Sequence, residues 1–419
     1  MPDLEIPVVR YAARSGVRQV DGKTELGLAT ASPEAFLDAY VERADVLCAA
    51  LLRVADVAVT RFHEYLTAAQ LAAVMDPIIT TGDGVLRFES LSACCGVAAR
   101  LDVLPGGLEA TVEQAGTTNV DLGLEMRRLL AGVGGRDPLR LVAGEHGLEA
   151  HTLSGQAHER PVALPERWVR SLSELQVIAS GMTLRAELDP RQARAFLTEL
   201  PVRTAHRETC WVQQVPRGLR LGASQTSGAF PIGGPERLKP LAALLRHASA
   251  LRVYAAELVD EGGRAGTASS WWELVLPHGR FGLALSPYTA RGFSGEGAGL
   301  GDLARQTPQA SLAAQGQLGY DLAEGRFFSR TLPFVVDVLE ANPRLDRARG
   351  LVSTGRVRVD GDRVLVVGSR GEYAVRLTSD GSPDGCTCPW FGQHRGSRGP
   401  CAHALAARMH VDGSARDDR

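Results

Sequence analysis

The spacing of apolar and polar positions changes character several times along the chain. From Ser32-Pro33-Glu34, a helix start signal, "EAFLDAYVERADVLCAALLRVA" carries apolar residues at helical intervals, and "TAAQLAAVM" continues the texture. The first 80 residues therefore predict a helical N-terminal region. Beyond it, short runs such as "VLRFES", "GVAARLDVLP" and "GLEATVEQ" are separated by Gly and Pro, as strands joined by hairpins are. Two amphipathic helices interrupt them. Asp121 is placed to cap one whose Leu122, Met126, Leu129, Leu130 and Val133 form a stripe. Asp189-Pro190 opens the other, with Ala193, Phe196, Leu197 and Leu200 inward and Pro201 as its stop.

These elements recur. "PVALPER" (Pro161 to Arg167) returns as "PIGGPER" (Pro231 to Arg237), which sets Pro165 and Pro235 70 residues apart, and "AEL" at 186–188 returns at 256–258 with the same offset. The unit reads as helix, two or three strands, helix, strand, and predicts a duplicated α/β body over residues 81–290. In element order it resembles the repeated units of sliding-clamp folds. "WWELVLPHGRFGLALS" predicts a hairpin turning at Pro277-His278-Gly279, and "ARGFSGEGAGLGD" a glycine-rich connector. Residues 291–345 predict a linker subdomain of helix and short hairpin, with a reduced winged-helix element as the alternative. Alternating strands with a turn at Asp360-Gly361 open the last unit, 346–411, and the polar stretch 412–419 reads as a disordered tail. The fold class expected is mixed α+β.

Composition narrows the function. The 419 residues carry a formal net charge of -2, so no global field draws the chain to nucleic acid or membrane, and any basic footprint is local. Of the basic residues only Lys23 and Lys239 are lysines, a bias that matches high-GC coding. "MPDLEIPVVRYAARSG" lacks a basic segment followed by an apolar one, and no apolar run reaches about 18 residues, so the expectation is a cytoplasmic protein without a membrane span. Seven cysteines in a reducing compartment argue against a disulfide framework and for metal.

Three of those cysteines stand with a histidine in "CTCPWFGQHRGSRGPCAH", residues 386 to 403. The spacing Cys386-x-Cys388, twelve residues, Cys401-x-His403 offers four soft or borderline donors, the set that closes a tetrahedral Zn2+ site of structural type. Pro389 favours a turn after the first pair, Pro400 a helix start at the second, and "AHALAARM" is a good helix former. Three thiolates around a dication leave -1, which a helix N-terminus and Arg395, Arg398 and Arg408 would offset. Two strands, Cys-x-Cys, a variable loop, Cys-x-His and a short apolar helix resemble the SWIM-type zinc finger, and the chain resembles bacterial SWIM-finger proteins. One departure is Asp384, two before Cys386, where a proline is common; Pro383 lies one place earlier. The resemblance implies a ββα finger with Cys386, Cys388, Cys401 and His403 as ligands. It also implies DNA binding or protein contacts, the latter with MoxR-type AAA ATPases and von Willebrand A-domain partners.

The loop between the ligand pairs places Trp390 and Phe391 beside His394, Arg395 and Arg398, which suits base stacking and phosphate contact; Arg356, Arg358, Arg363 and Arg370 widen the patch. The competing use of Trp390 or Phe391 is to fill the core of a small domain. The expectation is a non-catalytic zinc protein whose finger binds nucleic acid, DNA before RNA, with a protein-interaction adaptor as the alternative. Other signals fall away. "SGEGAGLG" lacks the Lys of a phosphate loop and the βαβ setting of a dinucleotide site. Cys94-Cys95 suit a buried turn and Cys48 a helix core; Cys210 near His206 shows no nucleophile constellation, and "FHEYL" lacks the second histidine of a metalloprotease.

Overall fold

Two rows of side chains alternate along strand β6 (Val97–Val103), and between them they decide the architecture. Val97, Ala99, Leu101 and Val103 point to one side and Ala98, Arg100 and Asp102 to the other, and all seven are buried. A strand with no wet face must lie inside a covered sheet. The computed structural model describes residues 16–20, 23–27, 35–60, 77–135, 137–164, 166–202, 209–256, 269–287, 289, 292–293, 317–330, 342–378, 383–394 and 399–417. In it β6 sits within an eight-stranded antiparallel sheet. The order is β12 (Met182–Leu188), β16 (Ala250–Ala256), β17 (Ser270–Leu276), β18 (Gly279–Leu285), β6, β5 (Val85–Leu91), β4 (Ile78–Gly82) and β8 (Gly116–Asn119).

A second sheet runs β11 (Gly155–Glu159), β10 (Gly147–Thr152), β9 (Arg140–Gly144), β3 (Ala35–Val41), β7 (Leu108–Glu113), and a third β14 (Gly218–Gly222), β13 (Thr209–Val215), β15 (Phe230–Gly233). One face of the large sheet packs on α1 (Ala44–Val59), α4 (Pro190–Thr198) and a 3-10 helix, Pro235–Leu244, in a single apolar core. Trp272 lies fully buried there, stacked on Phe196 with ring centroids 5.3 Å apart, a contact worth about 0.5–1.5 kcal/mol beyond its burial.

The opposite face is divided. At one end α3 (Glu166–Ser180) lays Trp168, Leu172 and Leu175 against Leu91, Ala98, Trp271 and Ala284. At the other end the hairpin of β19 (Leu318–Asp321) and β20 (Arg326–Ser329) covers a field of charges. Arg87, Glu89, Arg100, Asp102, Glu273 and Arg280 project from the sheet there, all buried. Asp321 of the hairpin meets Arg280 at 2.7 Å and Arg87 at 3.4 Å, Arg100 donates to the Tyr320 carbonyl at 2.7 Å, and Arg330 pairs with Glu89. Buried charges survive only in such company.

The order strand, helix, three antiparallel strands, helical segment occurs twice: β8, α2 (Leu124–Ala131), β9–β11 and α3, then β12, α4, β13–β15 and the 3-10 helix. The sheets are not equivalent, since β9–β11 join β3 while β13–β15 pair, among the described residues, only with one another. The recurring Pro-Glu-Arg does have one destination. Arg167 donates to the Cys94 carbonyl at 3.0 Å and Arg237 to the Gly96 carbonyl at 2.8 Å, so both arginines hold the β5–β6 turn. Arg237, fully buried, also donates to the Gly233 and Gly234 carbonyls and to the carbonyl and hydroxyl of Ser286.

Several expectations need correction. The N-terminal region is not uniformly helical: β1 (Gly16–Val20) and β2 (Lys23–Gly27) form a hairpin, and "AFLDAYV" is β3, with the helix beginning only at Ala44. Leu37, Ala39 and Val41 do alternate inward, but bulges beside Leu37 and Ala39, with Phe36 also buried, blur the period of two. Helix α2 starts after Gly123, not Asp121; the Gly123 N–H donates to the Glu159 carboxylate at 2.8 Å, which occupies the place of a cap. Asp189 caps α4 as expected, its side chain accepting from Arg191 and Gln192 while Gln192 reaches back to the Asp189 N–H. The Trp271–Ser286 hairpin turns at Pro277-His278, with His278 at φ 53°. "TAAQLAAVM", "FHEYL", His206, "SGEGAGLG" and the helix expected before β19 lie outside the described residues. Among those described, no helix is long and apolar enough to cross a membrane.

The terminal unit has its own core. β21 (Val357–Asp360), β22 (Arg363–Gly368), β23 (Gly371–Leu377) and β24 (Pro383–Cys386) form an antiparallel sheet, where two strands were expected. α5 (Pro343–Ser353), α6 (Pro389–His394) and α7 (Ala402–Asp417) accompany it in place of one helix, and α7 runs through most of the stretch read as a disordered tail. Val357, Val364, Val366 and Val375 of the sheet pack with Leu345, Ala348 and Leu351 of α5 and Ala404 to Ala407 of α7. Asp384 is the bulged residue of β24, standing between Pro383, opposite Leu377, and Gly385, opposite Arg376, to which its carboxylate pairs.

Candidate metal centre

Strand β24 delivers Cys386 at its last residue, and two helix starts deliver the rest. Cys388 immediately precedes α6, whose first residue is Pro389; Cys401 immediately precedes α7, whose second residue is His403. Each of these two cysteines occupies the position of a helix cap. The Phe391 N–H donates to Cys388 Sγ and the Ala404 N–H to Cys401 Sγ, both at 3.4 Å, while the cysteine carbonyls accept from Gly392 and Leu405. Unpaired N–H groups and the positive end of a helix favour sulfur in its anionic form.

One donor atom from each of Cys386, Cys388, Cys401 and His403 lies within 4.8 Å of the others, so the four expected ligands stand close enough to hold a metal ion. Cys388 and Cys401 are buried and Cys386 half-buried. The thiols crowd one another. Hydrogen bonding from Cys386, with the Ala404 N–H beside it, draws Cys401 below the ordinary thiol range. Cys386 is raised, first by that same shared hydrogen bond and then by burial, and burial raises Cys388. Packed thiols oppose one another's ionisation, and a dication among them would let all three ionise. His403 Nδ1 fits the same account, being buried with no hydrogen-bond partner, as a nitrogen reserved for a metal would be. Four protein donors leave no place for a substrate.

The loop residues divide. Trp390 and Phe391 are half-buried and pack on the terminal core, as a small domain requires. His394 meets the Trp390 ring edge-on at 4.8 Å, and the Arg344 guanidinium lies 5.2 Å from it. Arg395 and Arg398 lie outside the described residues. Arg408 is buried on α7 and pairs with Asp412 at 3.3 Å. Arg356, Arg358, Arg363 and Arg370 are exposed, but Arg358 is paired with Glu372 at 3.1 Å.

Other sulfurs behave as expected. Cys48 is buried on α1 and its thiol is pushed up to about 12 by that burial; Cys94 and Cys95 are buried in the β5–β6 turn. What sequence reasoning missed is α5. Asn342 caps it, Arg344 donates to the Pro400 carbonyl at 3.2 Å just ahead of Cys401, and Leu345, Ala348 and Leu351 face the core. The signal was present as Asn342-Pro343 followed by apolar residues three apart.

Fold and site together define a mixed α/β protein of antiparallel sheets with a C-terminal Cys3His cluster able to hold a metal. No protein-family model matches the chain, and no curated protein matches it. Among solved structures it is similar to the PCNA2-PCNA3 complex from Sulfolobus tokodaii, at 11% identity and a TM-score of 0.41, over 60% of this chain and 99% of that one. It is also similar to Proliferating Cellular Nuclear Antigen from Entamoeba histolytica, at 9% identity and a TM-score of 0.38, over 60% of this chain and 98% of that one.

Proposed function

We propose that residues 342–417 are a SWIM-type zinc module that docks the protein on nucleic acid, DNA in the first instance, and that the chain performs no catalysis of its own. One observation carries this: three sulfurs and an orphaned imidazole nitrogen converge at two helix starts and a strand end. Cys386, Cys388, Cys401 and His403 would hold the ion, which when bound supplies a structural cross-link. That cross-link pins both ends of the segment 389–400. Pro389, Gly392 and Gln393 are exposed on it, and Arg395 and Arg398 belong to it. Trp390 and Phe391 serve as its footing. In the same reading, the two runs of like element order between residues 116 and 244 are copies of one unit, supported by the shared destination of Arg167 and Arg237.

The experiment is fluorescence anisotropy of the zinc-loaded chain with a short DNA duplex across a salt series. Binding should weaken steeply with salt, and Arg395→Ala with Arg398→Ala should reduce the logarithmic salt slope by about 2. Salt-insensitive or absent binding would overturn the nucleic-acid reading. A specific observation favours the alternative of a protein adaptor. The exposed face of the terminal sheet balances Arg358 against Glu372 and Arg376 against Asp384 while leaving Val367, opposite Glu372, 41% exposed. Mixed charge around apolar residues suits a protein surface, for which an AAA-type ATPase of the MoxR kind is the partner the family resemblance implies. Nuclease-resistant co-purification of such a protein, lost in Val367→Asp, supports that reading.

A further inference from the structure

The histidine of the cluster has two nitrogens, and the structure treats them differently. Nδ1 is sealed from solvent without a hydrogen-bond partner. Nε2 lies against the main chain at the end of β22: a Cβ added to Gly368 would sit 2.8 Å from it, closer than real side chains approach. The ring between them is held by Tyr373 of β23, whose centroid is 4.5 Å from that of His403 at an interplanar angle of 38°. Gly368 pairs with Gly371 at the end of the β22–β23 ladder, while Cys386 pairs with Val375 farther along β23. The imidazole therefore stands between the thiols on one side and the strand end on the other. Gly368 has an ordinary negative φ, so its lack of a side chain answers to this close approach and not to backbone conformation.

We infer that His403 ligates the metal through Nδ1, and that Gly368 and Tyr373 form the slot that selects this nitrogen and fixes the ring. The inference rests on the zinc reading above and adds to it two positioning residues outside the ligand set. Filling the slot displaces the ring from the Nε2 side, which draws Nδ1 off the ion. Losses of this kind in the shell around a ligand are typically 10- to 100-fold in metal affinity.

The test uses the full chain. Elemental analysis first establishes one zinc per chain; its absence sinks the zinc reading and this inference with it. Long-range proton–nitrogen correlation spectra of the 15N-histidine-labelled zinc form then assign His403 as the signal missing from His403→Cys. A metal-bound Nδ1 with a protonated Nε2 supports the inference, and the opposite tautomer overturns it while leaving zinc binding intact. The second arm compares Gly368→Ala in two backgrounds by competition with a chromophoric chelator. In the His403 background the affinity should fall about 10- to 100-fold. In the His403→Cys background a flexible thiolate has no ring to seat, so the same change should leave affinity within about twofold, judged against the usual size of coupling between touching residues. Equal losses in both backgrounds mean that Gly368 matters only to folding, and the slot is refuted. Tyr373→Phe keeps the ring contact and should retain wild-type affinity.

Discussion

Glu273 tests the energetics of the covered charge field. It projects from β17 beside Arg280 and Arg100, with Asp102 and Asp321 also near; it is 1% exposed, and its Oε1 accepts no hydrogen bond. Burial raises its pKa to about 7, more than the attraction of Arg280 and Arg100 lowers it, and the repulsion of Asp102 and Asp321 adds to the rise. A carboxyl whose folded pKa exceeds its unfolded one makes its full contribution below the unfolded value, and that contribution is lost as pH rises between the two. From the ordinary 4.5 to about 7 the loss is about 3 kcal/mol, complete just above pH 7. Glu273→Gln keeps the shape and cannot ionise. It should therefore be more stable than wild type by about 3 kcal/mol at pH 8 and by only about 1 kcal/mol at pH 5, following the same linkage. Urea titrations followed by tryptophan fluorescence suit the measurement, because Trp271 and Trp272 lie on the same strand and are buried. A Gln variant that is less stable than wild type at pH 8 would show the carboxylate ionised and well paired, and the argument from burial would fail.

Three more outcomes follow from the packing. Arg237→Met removes the side-chain donor to the Gly96, Gly233 and Gly234 carbonyls and to the carbonyl and hydroxyl of Ser286 inside a buried site, and should cost about 3–5 kcal/mol in urea denaturation; an effect below about 1 kcal/mol would refute the clasp. Stripping the metal with a strong chelator, or Cys401→Ser, should unfold the terminal core while the fluorescence of Trp271 and Trp272 stays native, and concerted loss of both would refute separate cores. Asp189→Ala removes the Oδ1 that accepts from both Arg191 and Gln192 N–H at the start of α4 and should cost about 1 kcal/mol by thermal melting; no shift would mean the cap is idle.

The metal cluster was legible because its four donors fall within eighteen residues and two prolines fix where the helices begin. Local chemistry decided the geometry there. The slot around His403 was not legible, since Gly368 and Tyr373 join the ring only through strand pairing and carry no motif. Helix α4 could be read from Asp189 to Pro201 because its cap, its stripe and its stop all lie within one short segment. Strand β3 could not, as Ala35, Leu37 and Ala39 suit a helix and only the partners β7 and β9 draw the segment into a sheet. The same holds for Arg87, Glu89, Arg100 and Asp102. Polar residues alternating with apolar ones read as a wet face, and the hairpin that covers them comes more than two hundred residues later in the chain.

Helix α5 has a practical bearing on how the terminal module is handled in isolation. A fragment cut to begin at β21 would leave Leu405 and its neighbours facing water, without Leu345, Ala348 and Leu351, and would lose the Arg344 brace on Pro400. Such a piece would aggregate or bind metal weakly for reasons unrelated to its ligands. Excision upstream of Asn342 keeps the cap, the brace and the apolar seam together.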